Sequence, residues 1–265
     1  MGLLNGKKGI VMGIANDRSI ASGIAKQLFE EGASIGYSYL PDTGERARNL
    51  QRIEQVTKDL DPAFIFPCDV TSDEDIQAFF DKAKESMGSI DFLIHSIAFA
   101  PTEDIKRPAS SASRQGFQTA MDISVYSFMK VADTAKELME QGGSICSMTY
   151  FGGEKVMPGY NLMGICKAAL DSATKYAAYD LGSRGIRVNT ISAGPVKTLA
   201  ASAVGDFKTM LSTYESISPL GKNISSGDVG KTTAFLLSDY ASMITGETIH
   251  VDAGFHVMGA VPQGQ

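Results

Sequence analysis

From one end of the chain to the other, short apolar runs of four to six residues alternate with longer stretches of helical period. That alternation constrains the fold more than any motif does, because short buried runs separated by helical crossovers specify the strands of a parallel sheet. The runs predict seven strands: Gly9 to Met12, Ser34 to Tyr39, Ala63 to Pro67, Ile90 to His95, Ser144 to Thr149, Arg187 to Ser192 and Thr248 to Val251. Helices are predicted over Ile20 to Glu31, Glu45 to Lys58, Asp73 to Ser86, Ser113 to Glu140, Pro158 to Ser183 and Ser226 to Ser238. No internal repeat or low-complexity linker breaks this order, and 265 residues suffice for one large core. The expected architecture is a single α/β domain over residues 1–265, a Rossmann-like doubly wound seven-stranded parallel sheet with helices on both faces.

Ligands of such sheets bind outside the carboxyl ends of the strands, so those ends should carry small or polar residues. The first strand runs into Gly13-Ile14-Ala15-Asn16-Asp17-Arg18-Ser19-Ile20, a glycine-opened loop leading into a helix. Backbone N–H groups at that helix start suit a pyrophosphate. Gly13 and Gly23 do not reproduce the standard dinucleotide fingerprint, and Ser19 also reads as a plain N-cap. The third strand ends in Cys68-Asp69-Val70, where Asp69 is either an acceptor for an adenine amino group or a turn acid. Thr71 and Glu74 follow at capping-box spacing. The fourth ends in His95-Ser96-Ile97-Ala98, small enough for a ribose or nicotinamide to lie on the backbone, and the sixth in Ser192-Ala193-Gly194-Pro195-Val196-Lys197-Thr198. Four strand ends agree on nucleotide binding. The second reads Tyr39-Leu40-Pro41-Asp42 and lacks a basic clamp for a 2′-phosphate, which favours NADH over NADPH.

The stretch Tyr150 to Lys167, YFGGEKVMPGYNLMGICK, lies where the fifth strand meets a helix. Tyr160 and Lys167 are seven residues apart, close to two helical turns, and share a helix face. An ammonium beside a phenol is expected to make the tyrosine a better acid near neutral pH. Thr198 to Met210, rich in small residues, reads as a cover over a ligand or as a surface loop with a short helix.

With these strand ends in place, the chain resembles the bacterial enoyl-(acyl-carrier-protein) reductases, a divergent branch of the short-chain dehydrogenase/reductase family. The resemblance runs nearly end to end: Gly13 through Ser19-Ile20-Ala21, Cys68-Asp69-Val70, His95-Ser96-Ile97, Tyr160-Asn161, Lys167-Ala168, Ile191 to Pro195, Thr198 to Ala201, and Val251 to Phe255. It implies NADH-dependent reduction of the 2,3 double bond of 2-enoyl thioesters carried on acyl carrier protein, within fatty acid elongation. Tyr160 would contact the thioester carbonyl, Lys167 would hold the nicotinamide ribose, and Tyr150 would line the acyl pocket. Gly13, Ser19, Ile20, Asp69, Val70, Ser96, Ile97 and Thr198 would join Lys167 in the cofactor site, with a substrate-covering segment near 198–212. The resemblance also implies a homotetramer. Ala98 stands where many relatives have glycine, and Asp206-Phe207-Lys208 offers one base where relatives can be more basic. A reductase acting on ketones would place its lysine four residues after the tyrosine, and residue 164 is glycine.

Charge and composition exclude other classes. A net charge of −6 without a Lys/Arg cluster speaks against nucleic acid as a partner. Cys68, Cys146 and Cys166 have no C-x-x-C spacing, and His95, His250 and His256 do not cluster with them, so neither a disulfide framework nor a metal site is expected. No apolar segment reaches the length of a membrane span, and the first residues make too short a run for a signal peptide. Gly6 stands where a myristoylation signal on Gly2 wants Ser or Thr. A cytoplasmic chain away from membranes is the expectation.

Overall fold

The computed structural model describes residues 2–44, 47–196 and 207–260. Its strands are β1 (Lys8–Met12), β2 (Ser34–Tyr39), β3 (Phe64–Pro67), β4 (Phe92–His95), β5 (Gly143–Thr149), β6 (Ile186–Ala193) and β7 (Thr248–Val251). All pair in parallel, in the order β3-β2-β1-β4-β5-β6-β7. The order reverses between β1 and β4, where Met12 lies beside His95, and this opens the crevice in which doubly wound sheets take their ligands.

Period-2 alternation assigns each strand residue to one of two cores. Ile10 and Met12 of β1 join Phe79, Phe80, Phe128 and Leu170 on one side, while Val11 joins Ile24, Leu28 and Val229 on the other. The helices are α1 (Ile20–Glu30), α2 (Arg48–Thr57), α3 (Asp73–Met87), α4 (Thr102–Lys106), α5 (Arg114–Met121), α6 (Ser127–Ala135), α7 (Asn161–Gly182), α8 (Phe207–Ile217) and α9 (Ser226–Leu237). None among the described residues is long and apolar enough to cross a membrane.

The single helix predicted over Ser113 to Glu140 is four pieces. A π-helical turn at Asp122–Tyr126 separates α5 from α6, and a 3₁₀ turn at Lys136–Leu138 follows α6. The cause lies in the buried Ser124, whose hydroxyl accepts from the Phe99 amide and donates to the Phe99 carbonyl, both at 3.1 Å. One side chain pinned to the segment after β4 holds the widened turn in place. The capping box expected at Thr71 and Glu74 gives way to a plain N-cap one residue on. Ser72, not Thr71, caps α3, and it accepts from the Asp75 amide at 3.1 Å. The short α4 falls in a stretch to which the sequence assigns no element. Glu45, the predicted start of the second helix, lies outside the described residues, and α2 begins at Arg48.

Candidate active site

At the crevice, Gly13 adopts φ +102° and packs so tightly under β4 that a Cβ there would sit 2.1 Å from the Ser96 carbonyl oxygen. The Ser96 amide donates to the Met12 carbonyl at 3.1 Å, so the ends of β1 and β4 are tied directly to each other. Only glycine leaves room for backbone at this floor. Next to it, Ser19 caps α1: its hydroxyl accepts from the Ser22 amide at 3.3 Å and donates to the Asn16 carbonyl at 2.8 Å. Ile20 is the first helical residue, and the first turn of α1 carries no acid. Its positive end is left to an anionic ligand.

Asp69 and Val70 follow β3. Asp69 Oδ1 accepts from both the amide and the hydroxyl of Thr71, at 2.9 and 2.8 Å, so the turn-acid reading holds for that oxygen. Val70 is buried, while Ser96 and Ile97 remain half-buried beside Gly13. Asp42 is consumed by α2: its carboxylate accepts from the Asn49 and Leu50 amides at 2.8 and 3.2 Å, and these bonds hold its pKa below the usual carboxylate value. Thr198 and residues 198–206 of the covering segment lie outside the described residues.

Across the crevice the site is built from aromatic side chains. Tyr150 leaves β5 in extended conformation, a 3₁₀ turn over Phe151–Gly153 follows, and Tyr160 forms the N-cap of α7. The helix thus begins at Asn161, not at Pro158, because Gly159 and Asn161 take positive φ values of 81° and 41°. The rings of Tyr150 and Tyr160 meet edge to face with centroids 4.7 Å apart. The Tyr150 hydroxyl lies 2.7 Å from that of Tyr214 on α8, and the Tyr214 ring stacks on Phe255 at 3.7 Å.

Lys167 is buried on α7, and its Nζ donates to the Met148 carbonyl at 2.7 Å. Burial pulls its pKa down to about 8, opposed chiefly by the Asp171 carboxylate one turn along the helix. The expected acidification of Tyr160 does not occur. Burial pushes its pKa up, and the neighbouring Tyr150 adds to the effect. Tyr160 is therefore a neutral phenol suited to donating a hydrogen bond. Beneath the site, buried His95 pairs through Nε2 with Ser127 Oγ at 2.9 Å, and burial together with the Lys167 charge keeps its pKa near 3. It is a neutral structural group.

Residue 164 settles the lysine's position. A Cβ at Gly164 would lie 2.7 Å from the Gly152 carbonyl oxygen, so no lysine fits one turn above Tyr160. The sequence reading missed Tyr214, Asp171 and the role of Phe255. The signal for Tyr214 was present in the helical spacing of Phe207, Leu211, Tyr214 and Ile217.

The sheet order, the glycine floor under the crevice and the tyrosine–lysine helix define a Rossmann-type oxidoreductase of the short-chain dehydrogenase/reductase class. The chain belongs to the enoyl-(acyl carrier protein) reductase family, whose sequence pattern it matches over residues 13–256. It is 47% identical to an NADH enoyl-(acyl-carrier-protein) reductase of Nostoc sp., covering 97% of this chain and 98% of that protein. A Staphylococcus aureus relative named as an NADPH enzyme is 46% identical over 96% of this chain and 98% of its own. The crystal structure of the Anaplasma phagocytophilum enoyl-(acyl-carrier-protein) reductase in complex with NAD superimposes with a TM-score of 0.93 at 44% identity, covering 98% of each chain.

Proposed function

We propose that this protein is an NADH-dependent enoyl-(acyl-carrier-protein) reductase that saturates the 2,3 double bond of 2-enoyl thioesters in fatty acid elongation. The observation that carries the reading is the neutral Tyr160 phenol at the start of α7, edge-on to Tyr150 and seven residues from the buried Lys167. Relatives named for this reaction span the whole chain.

The residues present fit a dinucleotide. The acid-free start of α1, with its first backbone N–H groups beside the Gly13 turn, suits a pyrophosphate held against backbone. Gly13, Ser19, Ile20, Asp69, Val70, Ser96, Ile97 and Thr198 form the cofactor site in this reading, and Lys167 holds the nicotinamide ribose. Relatives named as NADH enzymes and a solved relative in complex with NAD support NADH over NADPH as the cofactor.

NADH, when bound, supplies the hydride that adds to C3 of the enoyl group. Tyr160 donates a hydrogen bond to the thioester carbonyl oxygen, where negative charge grows as the double bond is reduced. Because its pKa is raised, it makes this bond without ionising. Lys167 fixes the ribose and adds positive potential near the same oxygen. Tyr150 walls the acyl pocket in this reading.

The protein self-associates, as a homotetramer, through apolar faces left open on the single chain. Tyr176 and Tyr179 of α7 are 71% and 84% exposed, and Phe117 and Met129 on α5 and α6 are also exposed. Sedimentation equilibrium tests this assembly, and a monomer at micromolar concentration would refute it. The decisive assay compares a 2-enoyl coenzyme A thioester with a 3-oxoacyl one, each with NADH and with NADPH. NADH oxidation with the enoyl substrate and little with the 3-oxoacyl substrate is expected. The opposite preference would sink the assignment.

A further inference from the structure

Tyr214 occupies a place that the reaction as described does not use. It lies on α8, 3% exposed, with its ring stacked on Phe255 at 3.7 Å and an interplanar angle of 14°. Phe255 is itself held: Asp252 accepts from the Gly254 amide at 3.0 Å and from the His256 amide at 2.9 Å, which fixes the turn after β7. The Leu220 amide, just beyond α8, donates to the Ala253 carbonyl of the same turn at 3.2 Å. From this platform the Tyr214 hydroxyl reaches the Tyr150 hydroxyl at 2.7 Å, and the Tyr150 ring in turn leans edge-on against Tyr160 at 4.7 Å. A buried hydroxyl pair of this kind is costly to leave half-made, so each phenol holds the other in place.

Resting on the enoyl-reductase reading above, we propose that Tyr214 is a positioning residue that sets substrate affinity: it engages the Tyr150 hydroxyl, locks that ring as the pocket wall, and leaves Tyr160 as the one phenol free for the thioester carbonyl. Two tyrosines at one site would otherwise compete for the same oxygen. The bond to Tyr214 removes Tyr150 from that competition and links the pocket wall to α8. Affinity for the acyl part of the substrate then depends on a side chain 54 residues away from Tyr160 in sequence.

The test is a double-mutant cycle on Tyr150→Phe and Tyr214→Phe, each of which keeps the ring and removes only the hydroxyl. With a 2-octenoyl coenzyme A thioester, Tyr214→Phe is expected to raise KM for the thioester about 3- to 10-fold, while KM for NADH stays within about twofold and kcat falls less than KM rises. The double variant should match the worse single variant within about twofold, since both remove the same bond. An unchanged thioester KM in Tyr214→Phe, or additive effects in the double variant, would overturn the proposal, as would a parallel rise in both KM values. A second readout needs no substrate. With all nine tyrosines labelled at Cζ with ¹³C, Tyr214→Phe should remove one resonance and shift the one that Tyr150→Phe removes. No shift there would also overturn it. If the wild-type protein fails to turn over any enoyl thioester but the resonance shift is seen, the hydroxyl pair stands, and the role in substrate affinity falls with the enoyl-reductase reading.

Discussion

The two walls of the crevice are made differently. On the proposed nucleotide side the work is done by backbone: the Gly13 floor, the amide of Ser96 on the Met12 carbonyl, and the bare start of α1. The polar side chains there are already engaged, Ser19 as a cap, Asp69 on Thr71 and Asp42 on α2. On the proposed substrate side the work is done by side chains, three phenols and an amine carried by the end of β5, by α7 and its N-cap, and by α8. A backbone wall is insensitive to most substitutions and fails where a Cβ intrudes. A side-chain wall can lose single atoms, and each loss has its own signature.

The largest effect expected from that contrast is on the side-chain wall. Tyr160→Phe should lower kcat by about 10²–10³, the usual consequence of losing one oxyanion donor, and leave NADH binding nearly intact. Equal losses in turnover and NADH binding would erase the division between the walls. Lys167→Ala should weaken NADH binding by about 10- to 100-fold, the scale of a charged hydrogen bond, as read by isothermal titration.

Lys167 also supplies a pH signature. Its pKa in the folded chain, about 8, lies below the usual 10.5, so the unfolded chain binds more protons between those values. The group's contribution to stability is complete above about pH 10.5 and is lost as pH falls through 8. NADH affinity should move the opposite way, weakening as pH rises through about 8 and the ammonium is lost. Asp171→Asn removes the main group opposing that depression and should carry the inflection to lower pH in NADH titrations.

The backbone wall breaks through Gly13→Ala. Placing a Cβ at φ +102° and 2.1 Å from a carbonyl oxygen should cost about 1–3 kcal/mol in denaturant unfolding and reduce NADH binding with it. Wild-type stability and NADH affinity in this variant would show that the floor is not a floor. The smallest effect concerns the thiols. Cys68, Cys146 and Cys166 are buried, with pKa values pushed up to about 12, 12 and 11 by burial. All three should react with a disulfide reagent only as the chain unfolds. Rapid labelling of Cys166 in the native protein would instead open the α7 side of the pocket to solvent.

The backbone wall was the more legible of the two in sequence. All seven strands fall within two residues of their expected ends, because both-face burial imposes continuous apolar runs that few other structures need. Tyr150, Tyr160 and Lys167 were legible as a spacing. What they do to one another was not: a phenol beside an ammonium reads as acidified, yet the burial that governs Tyr160 comes from tertiary packing. The inward face of Tyr214 was legible in its helical spacing, but its pairing with Tyr150 was hidden for a related reason, since the two are 64 residues apart and no local periodicity records that meeting. The π-helical turn at Asp122–Tyr126 went unseen because its cause, Ser124 on Phe99, is likewise a contact between distant segments.

The close approach of Gly164 to the Gly152 carbonyl has a bearing on ancestry and redesign. Moving the lysine from position 167 to position 164, toward the spacing used by ketone reductases, cannot be done one residue at a time. The new side chain has no space until the turn over Phe151–Gly153 is rebuilt, and rebuilding that turn first displaces Tyr150 from Tyr160. A laboratory conversion to the other spacing is therefore expected to succeed only when the Tyr150 to Lys167 segment is exchanged as a whole.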